Sequence, residues 1–320
     1  MPATGKTPVV DAGTRPPGPA TLFWYRNRPA TGSQYPALRY RRESNRTART
    51  DADELNISSR GSAVSSPTTV TLDVVLLLPH QLRAQAVSSS AELARRMADN
   101  GYPSYFRLGA AYPSGPSGSS VCEPHVSLFM LAVSPSEVPA VVDAVHTVAG
   151  TMPPLYGEGE EYRHNPQGAP EMYFRRSPAW TALQRAVIAT VEPLRRGRLR
   201  DVGPSGERLH DVTAHRIPAD PAVVAQLIRY GYDEVADPDR DRFNPHVTLA
   251  WPDDPNSRID LTGLPPARTY SCVLSDIAVY GMSPYGTCTN GYGSFPLRAQ
   301  DRSTSAVDDL VSPVLGADRR

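Results

Sequence analysis

The chain has 320 residues, with 33 basic and 33 acidic side chains and no formal net charge. That length holds one large domain or two small ones around a sizeable core. The charge balance argues against a dominant sequence-independent nucleic-acid binder, which carries a basic footprint, and three cysteines without tight spacing (Cys122, Cys272, Cys288) set no disulfide framework and suit a reducing compartment.

Residues 1–66 lack hydrophobic periodicity and are rich in Pro, Gly, Ser, Thr and Arg, the composition of a disordered tail. Within it, Phe23, Trp24 and Tyr25 with Arg26, Arg28, Tyr35, Arg39, Tyr40, Arg41 and Arg42 interleave aromatics and arginines. Such a segment can stack on and neutralise single-stranded RNA, so a weak RNA contact by the tail is one expectation. The favoured one is a solvated tail whose aromatics dock on the domain. Met1 to Ala20 lacks the apolar core of a signal peptide, and no stretch is apolar enough to span a bilayer; a cytoplasmic location and no membrane partner are expected.

The globular part, 67–299, opens with Thr69 to Leu78, a β-rich apolar run of the kind a buried strand shows. A helix is predicted over 88–100, with Ser89 or Ser90 as cap, Leu93 and Met97 spaced by four, and Gly101 as stop. A strand follows at 105–111, then a Gly/Ser/Pro loop at 112–120 that enters a second apolar strand pattern, Val121 to Val133. A helix over 136–150 rests on Val138, Val141, Val142 and Val145, and loops are expected at 150–170 and 197–216. Beyond them come a strand at 171–175, a helix over 178–194 with Leu183, Val187 and Val191 in register, and a helix over 220–231 with Pro221 in its first turn and Gly231 at its end. A charged loop at 233–244 leads into a strand pattern from Phe243 to Trp251. The segment 271–282 reads as one strand, which 292–297 can join after a Gly-rich turn. Residues 300–320 form a second loose tail.

Two of these strand patterns contain nearly the same pentapeptide: Pro124-His125-Val126-Ser127-Leu128 and Pro245-His246-Val247-Thr248-Leu249. Strand alternation puts His125 with Ser127, and His246 with Thr248, on one face, and turns the apolar residues of each motif into a core. Two such strands side by side give two imidazoles and two hydroxyls around one cleft. That set suits a phosphate ester, with the hydroxyls on the non-bridging oxygens and the histidines moving protons. Each half runs strand, helix, loop, motif strand. An α+β fold is therefore predicted, with two pseudo-symmetric lobes (about 67–165 and 166–299), each an antiparallel sheet with outer helices, around a central cleft. Tyr285, in a turn after the last long strand, and Tyr173 and Arg175, on a strand, are further candidates for substrate binding. Trp251 falls on the core side by alternation. Cys122, Glu123 and His125 lack paired ligand spacing, so neither a metal nor a cofactor is expected.

The doubled His-x-Ser/Thr motif, one copy per half, resembles that of the 2H phosphoesterase superfamily, which includes the RNA 2′,5′-ligase-like proteins and the cyclic phosphodiesterases. The resemblance covers roughly residues 69–298, with the histidines set wide, 121 positions apart, a spacing that implies insertions around 150–176 and 197–216. It implies the same bilobal fold. It also implies a metal-independent phosphodiesterase in which His125 and His246 supply acid and base, Ser127 and Thr248 hold the phosphate, and the partner is a nucleotide or RNA end with a cyclic or 2′,5′-linked phosphodiester. Two other readings stand beside it: a non-catalytic nucleotide- or RNA-binding module on the same fold, and an interaction protein with structural histidines lying far apart.

Overall fold

A computed structural model describes residues 69–112, 120–204, 206–283 and 285–298. The expectations for the two tails and for most of the loop at 112–120 fall outside them. Among the described residues two four-stranded antiparallel sheets carry the fold, with strand orders β2-β1-β7-β8 and β5-β4-β3-β6. Five helices accompany them, so the α+β, two-sheet architecture expected from the sequence is the one observed. No described helix is long and apolar enough to cross a membrane.

In the first sheet β1 (Val70–Leu77) lies between β2 (His125–Val133) and β7 (Asp276–Met282), and β8 (Cys288–Pro296) completes it. Alternation sends Leu72, Val74 and Leu76 into the main core, where each is fully buried. Full burial of a side chain of this size contributes about 1.5–3 kcal/mol. The opposite face carries Asp73, Val75 and Leu77, and Val75 packs there with Ala278 and Cys288. A bridge between Glu123 and Cys288 ties the segment before β2 to the start of β8, so the two edges of the sheet meet at that end. That contact brings Cys288 beside His125.

The second sheet consists of β3 (Leu155–His164), β4 (Pro170–Arg175), β5 (His246–Thr248) and β6 (Cys272–Leu274). The second sheet is one run of the chain, β3 to β6, set between the two parts of the first, β1–β2 and β7–β8. β3 belongs to the second sheet, while β7 and β8 return to the first, so a division near residue 165 falls at the end of β3 and not between the sheets. The strand expected over 271–282 is two strands in different sheets, because the chain crosses over at Ser275: β6 pairs with β3, and β7 pairs with β1.

Other local expectations are corrected. The first helix, α1 (His80–Asp99), starts eight residues early after Pro79. Ser89 and Ser90 are buried inside it, and Ser90 Oγ accepts from the Leu108 amide at 2.9 Å, so neither is its cap. Residues 105–111 form turns, not a strand, with only an Ala111–Val121 bridge at the end. The region 150–170, read as a loop, holds β3. Its inward positions are Leu155, Gly157 and Gly159, and a Cβ on Gly159 would lie 2.0 Å from the Ala267 carbonyl oxygen. The glycines hide this strand from propensity; Gly159 is there because another backbone passes close by, and Gly157 because the Phe174 and Leu274 side chains pack against it.

The remaining helices follow the sequence closely: α2 (Val138–Thr151), α3 (Pro178–Arg195) and α5 (Pro221–Tyr230), plus a short α4 (Leu209–Thr213) within the 197–216 segment. Asp220 caps α5 by accepting from the Ala222 amide at 2.7 Å, and Gly231 ends it in the left-handed conformation.

Candidate active site

The two motif strands, β2 and β5, are each an edge of their sheet, and they pack against one another. This brings the pentapeptides together from distant parts of the chain, and it removes the reading in which the histidines lie far apart. Each imidazole is fixed the same way. His125 Nδ1 is 2.6 Å from the carbonyl of Glu123, and His246 Nδ1 is 2.7 Å from the carbonyl of Asn244. Carbonyls only accept, so each Nδ1 carries the hydrogen when the ring is neutral, and each Nε2 is left for chemistry.

A carboxylate on the neighbouring strand stands against each motif. On the first side, Ser127 Oγ lies 2.7 Å from Asp73 Oδ2, and His125 Nε2 is 3.9 Å from the same oxygen. On the second, Glu171 on β4 faces Thr248 directly in register. Thr248 Oγ1 is 3.4 Å and His246 Nε2 3.5 Å from Glu171 Oε1. Asn165 donates to that oxygen at 2.7 Å, and the Tyr173 hydroxyl donates to Glu171 Oε2. The pseudo-symmetry read from the sequence thus extends to two acids, Asp73 and Glu171, that the sequence reading passed over. Asp73 left one signal: it is the one charge within the apolar run 69–78.

The two halves differ electrostatically. Burial holds the His125 imidazole down at about 4, with His246 adding repulsion. Burial would also lower His246, but the carboxylates of Glu171 and Glu234 outweigh it and raise the group above its ordinary value. Burial pushes Asp73 up to about 8 against the pull of Ser127 and Arg200. A carboxyl that is neutral at pH 7 can donate to Ser127 Oγ and free the serine hydrogen for an anion. Desolvation pushes Glu234 up to about 7, opposed by His246. Arg200, from the 197–216 segment, is buried and acts on both Asp73 and Tyr232; its Nε has no hydrogen-bond partner.

Tyr173 lies beside the site, its ring 5.3 Å from that of His246 and 3.7 Å beneath the Arg163 guanidinium carbon. Arg175 is exposed and ion-paired with Glu158 and Glu160 at 3.0 and 3.4 Å. Tyr285 stacks on Tyr105 with centroids 3.9 Å apart and planes 7° apart, and the backbone of the next residue, Gly286, touches the His125 imidazole. Trp251 is in the core, as alternation required. Glu123 is paired with Arg83.

No family model matches the chain, and no curated protein does. Solved structures do. TT0787 of Thermus thermophilus is 20% identical, with 72% of this chain and 99% of that one covered at a TM-score of 0.41. E. coli LigT complexed with NADP+ is 14% identical, with 72% and 99% covered at 0.39. A structure described as a phosphoesterase is 14% identical, with the same coverage and score. On its own residues, this chain brings together two His-x-Ser/Thr motifs on adjoining edge strands, each histidine tied to a main-chain carbonyl and each hydroxyl beside a carboxylate.

Proposed function

We propose that the chain is a metal-independent phosphodiesterase of the 2H type, acting on cyclic or 2′,5′-linked phosphodiesters of nucleotides or RNA ends. The observation that carries this reading is the juxtaposition of His125 and His246 with Nδ1 of each tied to a carbonyl. Hydrolysis needs a base that takes a proton from water as its oxygen bonds to phosphorus. It also needs an acid that delivers a proton to the ribose oxygen as the opposite phosphorus–oxygen bond breaks. His246, held between Glu171 and Glu234, is the imidazole that carries a proton and is assigned as acid. His125, enclosed and without a carboxylate within ion-pair contact closer than 3.9 Å, takes the proton from water. Ser127 and Thr248 supply hydroxyl donors to the non-bridging oxygens, and contact with the sugar or base is assigned to Tyr173, whose ring is 5.3 Å from that of His246, and to Tyr285.

The second reading, a binding module without turnover, draws on one observation. Both motif hydroxyls lie against carboxylates, and three acids (Asp73, Glu171, Glu234) surround the pair. One experiment separates the two. Purified protein is incubated with 2′,3′-cyclic nucleotides, 2′,5′-linked dinucleotides and cyclic dinucleotides in the presence of EDTA. Turnover of any of these classes by the wild type, absent from the double alanine variant at 125 and 246, is expected. Ligand retention without product over long incubation would establish the binding module instead.

A further inference from the structure

Cys122 and Glu123, beside His125 in sequence, are not the groups that the fold gathers around this histidine. Asp73 from β1 and Cys288 from β8 are. A carboxylate oxygen of Asp73, a ring nitrogen of His125 and the Cys288 sulfur all lie within 4.8 Å of one another, and all three residues are buried. Asp73 Oδ1 is a fully enclosed carboxylate oxygen with no hydrogen-bond partner. Leaving a buried polar atom in this way is costly, and coordination to a cation is one way to recover the loss.

The geometry points to a second role for this corner: Asp73, His125 and Cys288 form a binding site for a zinc-like divalent cation. The donor set is of the type zinc takes, one thiolate, one imidazole and one carboxylate, with a fourth position left for water from the cleft. Bonds of about 2.0–2.3 Å to a central ion put tetrahedral ligands closer together than 4.8 Å, so small rotamer shifts draw the three groups in. His125 Nδ1 is already bonded to the Glu123 carbonyl, the outer contact that orients a metal-binding histidine and leaves Nε2 for the ion. On binding, the Cys288 thiol proton and the Asp73 carboxyl proton pass to solvent, and the sulfur and a carboxylate oxygen bond the ion. His125 Nε2 is then occupied. Resting on the phosphodiesterase reading, the consequence is reversible inhibition by zinc, with Cys288 as the residue that confers it.

The full chain is titrated with Co2+ alone, under reducing conditions, and the absorption spectrum is followed; Zn2+ is then added. The wild type is expected to show a thiolate-to-cobalt charge-transfer band and tetrahedral ligand-field bands at one equivalent, which Zn2+ abolishes. Cys288→Ala is expected to lose the charge-transfer band while keeping basal turnover, and to lose at least tenfold in sensitivity to Zn2+. Asp73→Asn provides an independent variant that keeps the thiol and weakens binding. Absence of the band in the wild type, or an unchanged band in Cys288→Ala, overturns the site. If no diester is turned over under any condition, the phosphodiesterase reading falls while the absorption titration still decides the metal site.

Discussion

His125 and His246 have near-identical sequence surroundings and unequal physical ones. Two carboxylates near His246 counter the cost of burying its charge, whereas His125 sits where burial prevails. The sign of a pH prediction follows. A protonated acid is lost as pH rises through its pKa, and Glu234 helps hold that pKa up. Glu234→Gln is expected to shift the alkaline limb of the kcat/KM profile to lower pH, with the acid limb little changed; an alkaline limb that stays in place would remove His246 from the acid role. The motif residues were legible because a period of two is unambiguous in a strand. Asp73, Glu171 and Glu234 were not, because a lone acid in an apolar or mixed run carries no sign of what it faces. Arg175 shows the reverse: its strand position was read correctly, but the charge is satisfied by Glu158 and Glu160 on the adjoining strand.

At the scale of elements, the helices with strong periodicity and plain stop signals were read almost to the residue. β3 and the break at Ser275 were missed, because glycine-rich pairing and a crossover between sheets are set by distant partners. Gly159→Ala tests the first. Its methyl would meet the Ala267 carbonyl, so a loss of about 1–3 kcal/mol in denaturant unfolding is expected, the cost typical of overpacking. Gln184 tests how α3 supports the site. It is fully buried, donates to the carbonyls of Leu128 and Glu234 at 2.9 and 2.8 Å, and accepts from the Ala236 amide at 2.8 Å. It thereby joins the first motif strand to the segment that carries Glu234. Gln184→Ala strands three main-chain groups and is expected to destabilise by roughly 2–4 kcal/mol and to lower turnover; Gln184→Glu, which sets a buried acceptor-only oxygen against the carbonyls of Leu128 and Glu234, is expected to cost at least as much. A variant as stable and active as wild type would show that this bridge does not hold the site.

Across the whole molecule, the fold places a histidine strand on one edge of each sheet and sets the two edges together. The duplication was visible in sequence as a repeated order of elements; the insertion of one sheet into the other was not, since the chain enters the second sheet at β3 and returns to the first at β7 with no local mark. The same closure that brings β8 to Glu123 puts a thiol beside one histidine and not the other, so the pseudo-symmetry of the motifs does not extend to their full surroundings. The central claim is that the two histidines act as one unit on a single phosphorus. The most direct test is a double-mutant cycle on turnover of the best diester substrate, with His125→Ala, His246→Ala and the double variant, each shown to be folded by circular dichroism. Acting as a unit, either single loss costs at least about a thousandfold in kcat and the double costs no more than the worse single. Losses that multiply, or a single variant that keeps its activity, would contradict the account.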